Sequence, residues 1–148
     1  MAGRIGTAKI AGVTTGTALK TMIQLIAAAN HAIKIKQFVV GFHGTSATAE
    51  PIKVEIVRQT DAGTMSALTP VKADDSNGDT LDTTAQHTAT AEPTPGDILV
   101  NIPVHPQTSL VYEPPWDAPI VVGAGDRLGF TTTAAVAVNC DMTVIFEE

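Results

Sequence analysis

From Phe38 to Thr60 the chain reads FVVGFHGTSATAEPIKVEIVRQT, and this stretch limits the fold more than any other. After Pro51, the apolar Ile52, Val54 and Ile56 alternate with the polar Lys53 and Glu55. A period of two predicts a strand with one face in a core and the other in water. Gly41, Gly44 and Pro51 punctuate the segment Thr45-Ser46-Ala47-Thr48 and predict a tight loop that reverses the chain between two strands. The run Ala47-Thr48-Ala49-Glu50-Pro51 recurs as Ala89-Thr90-Ala91-Glu92-Pro93, again just ahead of an apolar strand.

A chain of 148 residues is one domain by length and long enough for a real core. Only 4% of it is aromatic, so Ile, Val, Leu and Ala are expected to build the interior. Abundant Thr, with Ile and Val, favours strands. Cys140 is the only cysteine, which excludes an intrachain disulfide, and its apolar setting predicts a buried, inert thiol. Charge is divided along the chain. Before Glu50 there are five basic and no acidic residues, whereas from Glu50 onward four basic residues face fifteen acidic ones. Either the division is a plain composition shift, or the first third faces an acidic partner surface. Dispersed charges without interleaved aromatics do not make a nucleic-acid site. Met22–Ala29 is apolar but too short to span a membrane, and it lies too far from Met1 to read as a secretory signal.

Residues 1–17, MAGRIGTAKIAGVTTGT, are small, Gly-rich and weakly patterned, and are expected to form an extended arm outside the folded domain of 18–148. Arg4, Ile5, Lys9 and Ile10 of this arm would lie on a neighbouring subunit or partner, and its removal should leave the domain's melting temperature unchanged. Residues 18–29 fit one face of a helix or of a strand. The strand is preferred because Asn30-His31 then turns into the clean alternation of Ile33-Lys34-Ile35-Lys36. Past Gln37 the phase shifts to Phe38, Val40 and Phe42, predicting a β-bulge near Gln37. Residues 61–87 are a long polar connection, with a short strand at Leu68–Val71 and an exposed acidic loop at Asp74–Asp82. A connection of this length has a function or crosses between sheets. Further strands are expected at 97–104, 110–112, 120–122, 128–130 and 142–146. The pattern is all-β: a jelly-roll-like antiparallel β-sandwich of about eight to ten strands.

No motif assembles catalytic chemistry. Gly44-Thr45-Ser46-Ala47-Thr48 lacks the second glycine of a nucleophile elbow and lies between two strands. Gly123-Ala124-Gly125-Asp126-Arg127-Leu128-Gly129 has its third glycine one place late for a dinucleotide fingerprint and leads into a strand, so it reads as a turn. His31, His43, His87 and His105 are scattered, without zincin spacing. The acidic loop fails the calcium pattern at its first and last ligand positions, Ala73 and Thr84. Neither a metal nor another cofactor is expected. Tyr112 and Trp116 are the only Tyr and Trp; in its proline-rich loop, Trp116 either plugs one end of the sandwich or anchors a partner.

Leu25–Asn30, Gly41–Pro51, Arg58-Gln59-Thr60 and Gly125–Gly129, taken together, resemble a group of small virion structural proteins of tailed bacteriophages and prophages. The Gly-Asp-Arg-Leu turn is also similar to one in trimeric jelly rolls of the tumour necrosis factor type. The phage resemblance implies a non-enzymatic capsid decoration protein on the virion surface. The expected partners are the major capsid protein and further copies of the chain in a homotrimer, with no nucleic acid and no membrane. The alternative expectation is a carbohydrate-binding jelly-roll module of a head fibre or tail appendage. There Tyr112, Trp116 and the acidic loop would form a stacking platform.

Overall fold

A computed structural model describes residues 3–44, 49–76 and 78–148. The chain forms twelve strands: β1 (Ile5–Thr14), β2 (Lys20–Ile26), β3 (Ile33–His43), β4 (Ile52–Gln59), β5 (Thr64–Leu68), β6 (Val71–Lys72), β7 (Thr84–Ala91), β8 (Pro95–Val104), β9 (Ser109–Tyr112), β10 (Ile120–Val122), β11 (Arg127–Thr133) and β12 (Asn139–Glu147). They pair antiparallel into two sheets. The first runs β10-β3-β12-β1-β6, with β9 alongside β10 on the same flank of β3; the second runs β5-β7-β2-β11-β4-β8. The sheets face each other across one apolar core. No helix is long and apolar enough to cross a membrane among the described residues.

The alternation read in the sequence places the core. Ile33, Ile35, Phe38, Val40 and Phe42 of β3 point inward, as do Ile52, Val54 and Ile56 of β4. The expected bulge is present: Ile145 pairs with Gln37 but Phe146 pairs with Ile35, so Lys36 is the extra residue that shifts the phase. Aromatics take a larger part in the interior than their scarcity suggests. All four phenylalanines are buried, and Phe38 of one sheet meets Phe130 of the other with ring centroids 5.0 Å apart. Such a pair contributes about 0.5–1.5 kcal/mol beyond its buried area.

Three expectations are corrected. The N-terminal segment is no arm: residues 5–14 form β1, hydrogen-bonded to β12 on one side and to β6 on the other. Its glycines serve close packing, since a Cβ on Gly6 would overlap Phe146 and Leu81. The domain therefore begins before residue 18, and twelve strands replace about eight to ten. Second, β3 and β4 lie in different sheets, so their connection crosses the sandwich instead of closing a hairpin. The expected loop at 45–48, with its near-miss elbow, lies outside the described residues. Third, the long connection after β4 crosses between the sheets as expected but is structured, containing β5, β6 and the first half of β7. β7, sequence TAQHTATA, buries only Ala85 and Ala89 among its apolar residues, too little to register as a strand pattern.

Candidate partner-binding site

The loop between β9 and β10 holds Pro114, Pro115 and Pro119, whose fixed φ angles stiffen it. The Ala118 amide donates to the Pro115 carbonyl at 3.0 Å, closing a turn with Trp116 at its corner. Gln37, at the bulge of β3, donates to the Glu113 carboxylate at 2.6 Å and ties the loop to the sheet. Trp116 is 93% exposed. It adjoins a shallow recess of about 260 Å³ lined by Lys34, Lys36 and the three prolines. Of the two readings of Trp116, a plug in the sandwich end is excluded by its exposure.

The other candidate residues do not join it. Tyr112 is half-buried and packs against the core. The acidic loop lies beside β6, at the opposite edge of the first sheet from β9 and β10, so the aromatic and acidic parts of the expected stacking platform are separated. Ile10 is a core residue at 6% exposure, Ile5 is half-buried, and Lys9 projects into solvent beside β6.

Arg4 is engaged within the chain. Its guanidinium meets the Asp82 carboxylate at 2.9 Å and that of Glu148 at 3.1 Å, and it donates to the Thr80 carbonyl. Glu148, whose side chain is fully covered, accepts the amides of Asp82 and Thr83 at 2.9 and 2.8 Å, and His31 Nε2 lies 3.5 Å away. Burial pushes this carboxyl up, but the hydrogen bonds from Thr83 and Asp82 and the charge of Arg4 outweigh it and hold the group below its ordinary range. Ligating atoms of His31, Asp82 and Glu148 lie within 4.8 Å of one another. The guanidinium already supplies the positive charge there, which makes the cluster an ion-pair node.

The charge division is resolved in the same way. The acid-bearing β12 lies between β1 and β3 of the basic first third. Lys36 pairs with Glu147, and His43 Nδ1 lies 2.5 Å from Asp141. The composition shift thus places opposite charges on adjacent strands.

A second concave feature, unanticipated in the sequence, lies on the outer face of the other sheet. There Gln24 donates to Gln59 at 2.8 Å, Gln59 donates to the Thr21 hydroxyl at 2.9 Å, and that hydroxyl donates to Glu92 at 2.6 Å. Arg127 donates to Gln24 at 3.2 Å. Gln24 and Gln59 are buried although alternation assigns them to water. Thr21, which alternation places with Ile23 and Leu25, is brought to their side by a register shift between Ile23 and Thr21 and is buried there. Gly129 permits this: Gln59 lies across it, and a Cβ there would overlap the Gln59 amide. Beside the network opens a groove of about 330 Å³. Its walls are Leu19, Val57, Pro93, Pro95 and Ile98, and Glu55, Thr131 and Gln59 contribute polar groups. Glu55 is 5% exposed and 3.1 Å from Lys53, and the buried Thr131 hydroxyl has no hydrogen-bond partner. In sequence, the only signal was polar residues interrupting apolar strands, at Thr21, Gln24 and Gln59.

Comparison with known proteins returned no matching family model, no matching curated protein and no matching solved structure.

Proposed function

We propose that the protein is a structural component of a phage virion that decorates the head shell, and that the Trp116 loop is its anchor for a protein partner. The observation that carries this reading is the 93% exposure of Trp116 on a proline-stiffened turn. An exposed indole costs the monomer solvation and gives its core nothing. On a rigid loop it offers a partner a large apolar surface with little entropy left to lose. The resemblance of Gly41–Pro51 and its companion segments to phage virion proteins supplies the class of partner, the major capsid protein. The alternation of successive strands between the sheets, β1 to β2 to β3 to β4, supports the jelly-roll reading.

The test is binding to purified shells, imaged by electron microscopy. The wild-type protein should coat the shell, and Trp116→Ala should lose occupancy while keeping its fold. Absence of the protein from virions, or undiminished coating by Trp116→Ala, would overturn the reading. Glycan binding that depends on Trp116, without shell binding, would replace it with the carbohydrate-binding alternative.

A further inference from the structure

We infer that the groove between β4, β8 and β11 is a docking site for Trp116 of a second copy of this chain, so that copies associate head to tail. The inference rests on the reading of Trp116 as a partner anchor; a Trp116 seated in a second copy is not free for the shell, so on any one chain the two contacts exclude each other. Four observations bear on it. First, the groove is apolar along its walls, and Leu19 and Ile98 at its rim are 43% and 56% exposed, so the chain itself does not cover them. At about 330 Å³ the space falls in the range of sites that enclose one compact apolar group. Second, its buried polar atoms can accept a hydrogen bond. Thr131 is 2% exposed with an unpartnered hydroxyl oxygen, and the Glu55 carboxylate lies along the same groove. The indole offers one N–H donor and no acceptor.

Third, the charges around the two features are complementary. The recess beside Trp116 carries Lys34, Lys36 and Glu113, with Lys34 also facing Glu147 across the strands, whereas the groove carries Lys53, Glu55 and Glu92, so the linings are net positive and net negative. Glu92, at the groove, is held by the amide and hydroxyl of Thr21 and meets no cation within ion-pair distance among the described residues. Fourth, geometry excludes self-filling. Lys34 and Lys36 mark the outer face of the first sheet, whereas Val57, Gln59 and Thr131 mark the outer face of the second. A knob on one face and a socket on the other make a heterologous contact, which either closes into a ring or extends.

The experiment uses the full chain and two surface variants, Trp116→Ala and Ile98→Arg, both at exposed positions, with circular dichroism to establish their fold. Wild-type protein should show concentration-dependent mass by sedimentation velocity. Because Trp116 is the only tryptophan, its emission should shift to the blue as association proceeds. Each variant alone should associate at least ~30-fold more weakly, the range of a hot-spot residue. Mixed, the two should form a one-to-one heterodimer and nothing larger, because one supplies the only intact knob and the other the only intact socket. A wild-type chain that stays monomeric at the highest concentration reached, or variants whose mixture does not pair, would overturn the inference. Should Trp116→Ala also lose shell binding in the first of those outcomes, Trp116 is still the shell anchor and only the self-docking fails.

Discussion

Gly129→Ala tests the packing of the buried polar network, and its size can be worked from the geometry. The new methyl carbon would lie within 2.5 Å of all three outer atoms of the Gln59 amide, in space that amide now occupies. Gln59 cannot shift within the face, because it is held between Gln24 and Thr21, so it must swing out toward the groove. Two buried hydrogen bonds are then lost. Gln24 keeps its bond to the Asp61 carbonyl and Thr21 keeps Glu92, so neither group is stripped completely. At about 1 kcal/mol per bond plus part of the desolvation cost of groups left short of a partner, the expected loss is about 2–4 kcal/mol. For a domain of this size that corresponds to a fall in Tm of roughly 5–15 °C. The decisive assay is a double-mutant cycle by thermal or urea unfolding. Gln59→Ala alone removes the same two bonds. Gly129→Ala added to it then has nothing to displace, and should cost less than about 0.5 kcal/mol. If the two substitutions instead add, or if Gly129→Ala alone leaves Tm unchanged, Gln59 does not hold the network together and the reasoning fails.

Deleting residues 3–14 should abolish cooperative unfolding, since it strips β12 of a neighbour and uncovers Phe146; a truncated domain with an unchanged Tm, read by calorimetry, would contradict the placement of β1. The Cys140 thiol, pushed up to about 12 by burial and by the nearby Asp141 charge, should be inert to a thiol reagent in the folded chain and react at the rate of global unfolding in denaturant. Glu148 sits below its ordinary range when folded, so it contributes stability above its unfolded value of about 4.3, and that contribution disappears as pH falls through the lower folded value. Thermal melts should therefore be flat from neutral pH to about 5 and decline below it, and Arg4→Met should reduce that decline.

The strands legible in the sequence are those that bury large branched or aromatic side chains on one face. β3 with its bulge, β4, β11 and β12 all announce themselves through Ile, Val, Leu, Met and Phe at period two. β1 and β7 do not, because their places in the sandwich demand small residues. In β1, Gly6 lies under Phe146 and Leu81, and Ala8 is 1% exposed. In β7, Ala85 and Ala89 are the buried apolar positions. Gly and Ala were read as signs of a loose chain where they are signs of close approach. The outer-face network misled in the opposite direction. Period two assigns Gln24 and Gln59 to water, and a register shift in β2 brings Thr21 to the same side, but hydrogen bonds among residues of β2, β4 and the 92–94 connection allow their burial.

Of the features that pointed outward from the sequence, most are consumed within the fold. Arg4 is taken up by Asp82 and Glu148, Ile10 by the core, and Lys36 by Glu147 of β12. What remains unspent after that accounting is informative. Trp116 is the largest apolar side chain in the molecule and makes almost no use of it. The groove at β4 and β8 contains a hydroxyl without a partner and apolar walls without a cover. A monomer gains nothing from either, since each costs solvation free energy that the core does not return. Their chemistry is opposite in sign, one a rigid apolar donor and the other an apolar cleft with acceptors. Their positions on opposite outer faces leave association between copies as the arrangement in which both costs are relieved by a single contact.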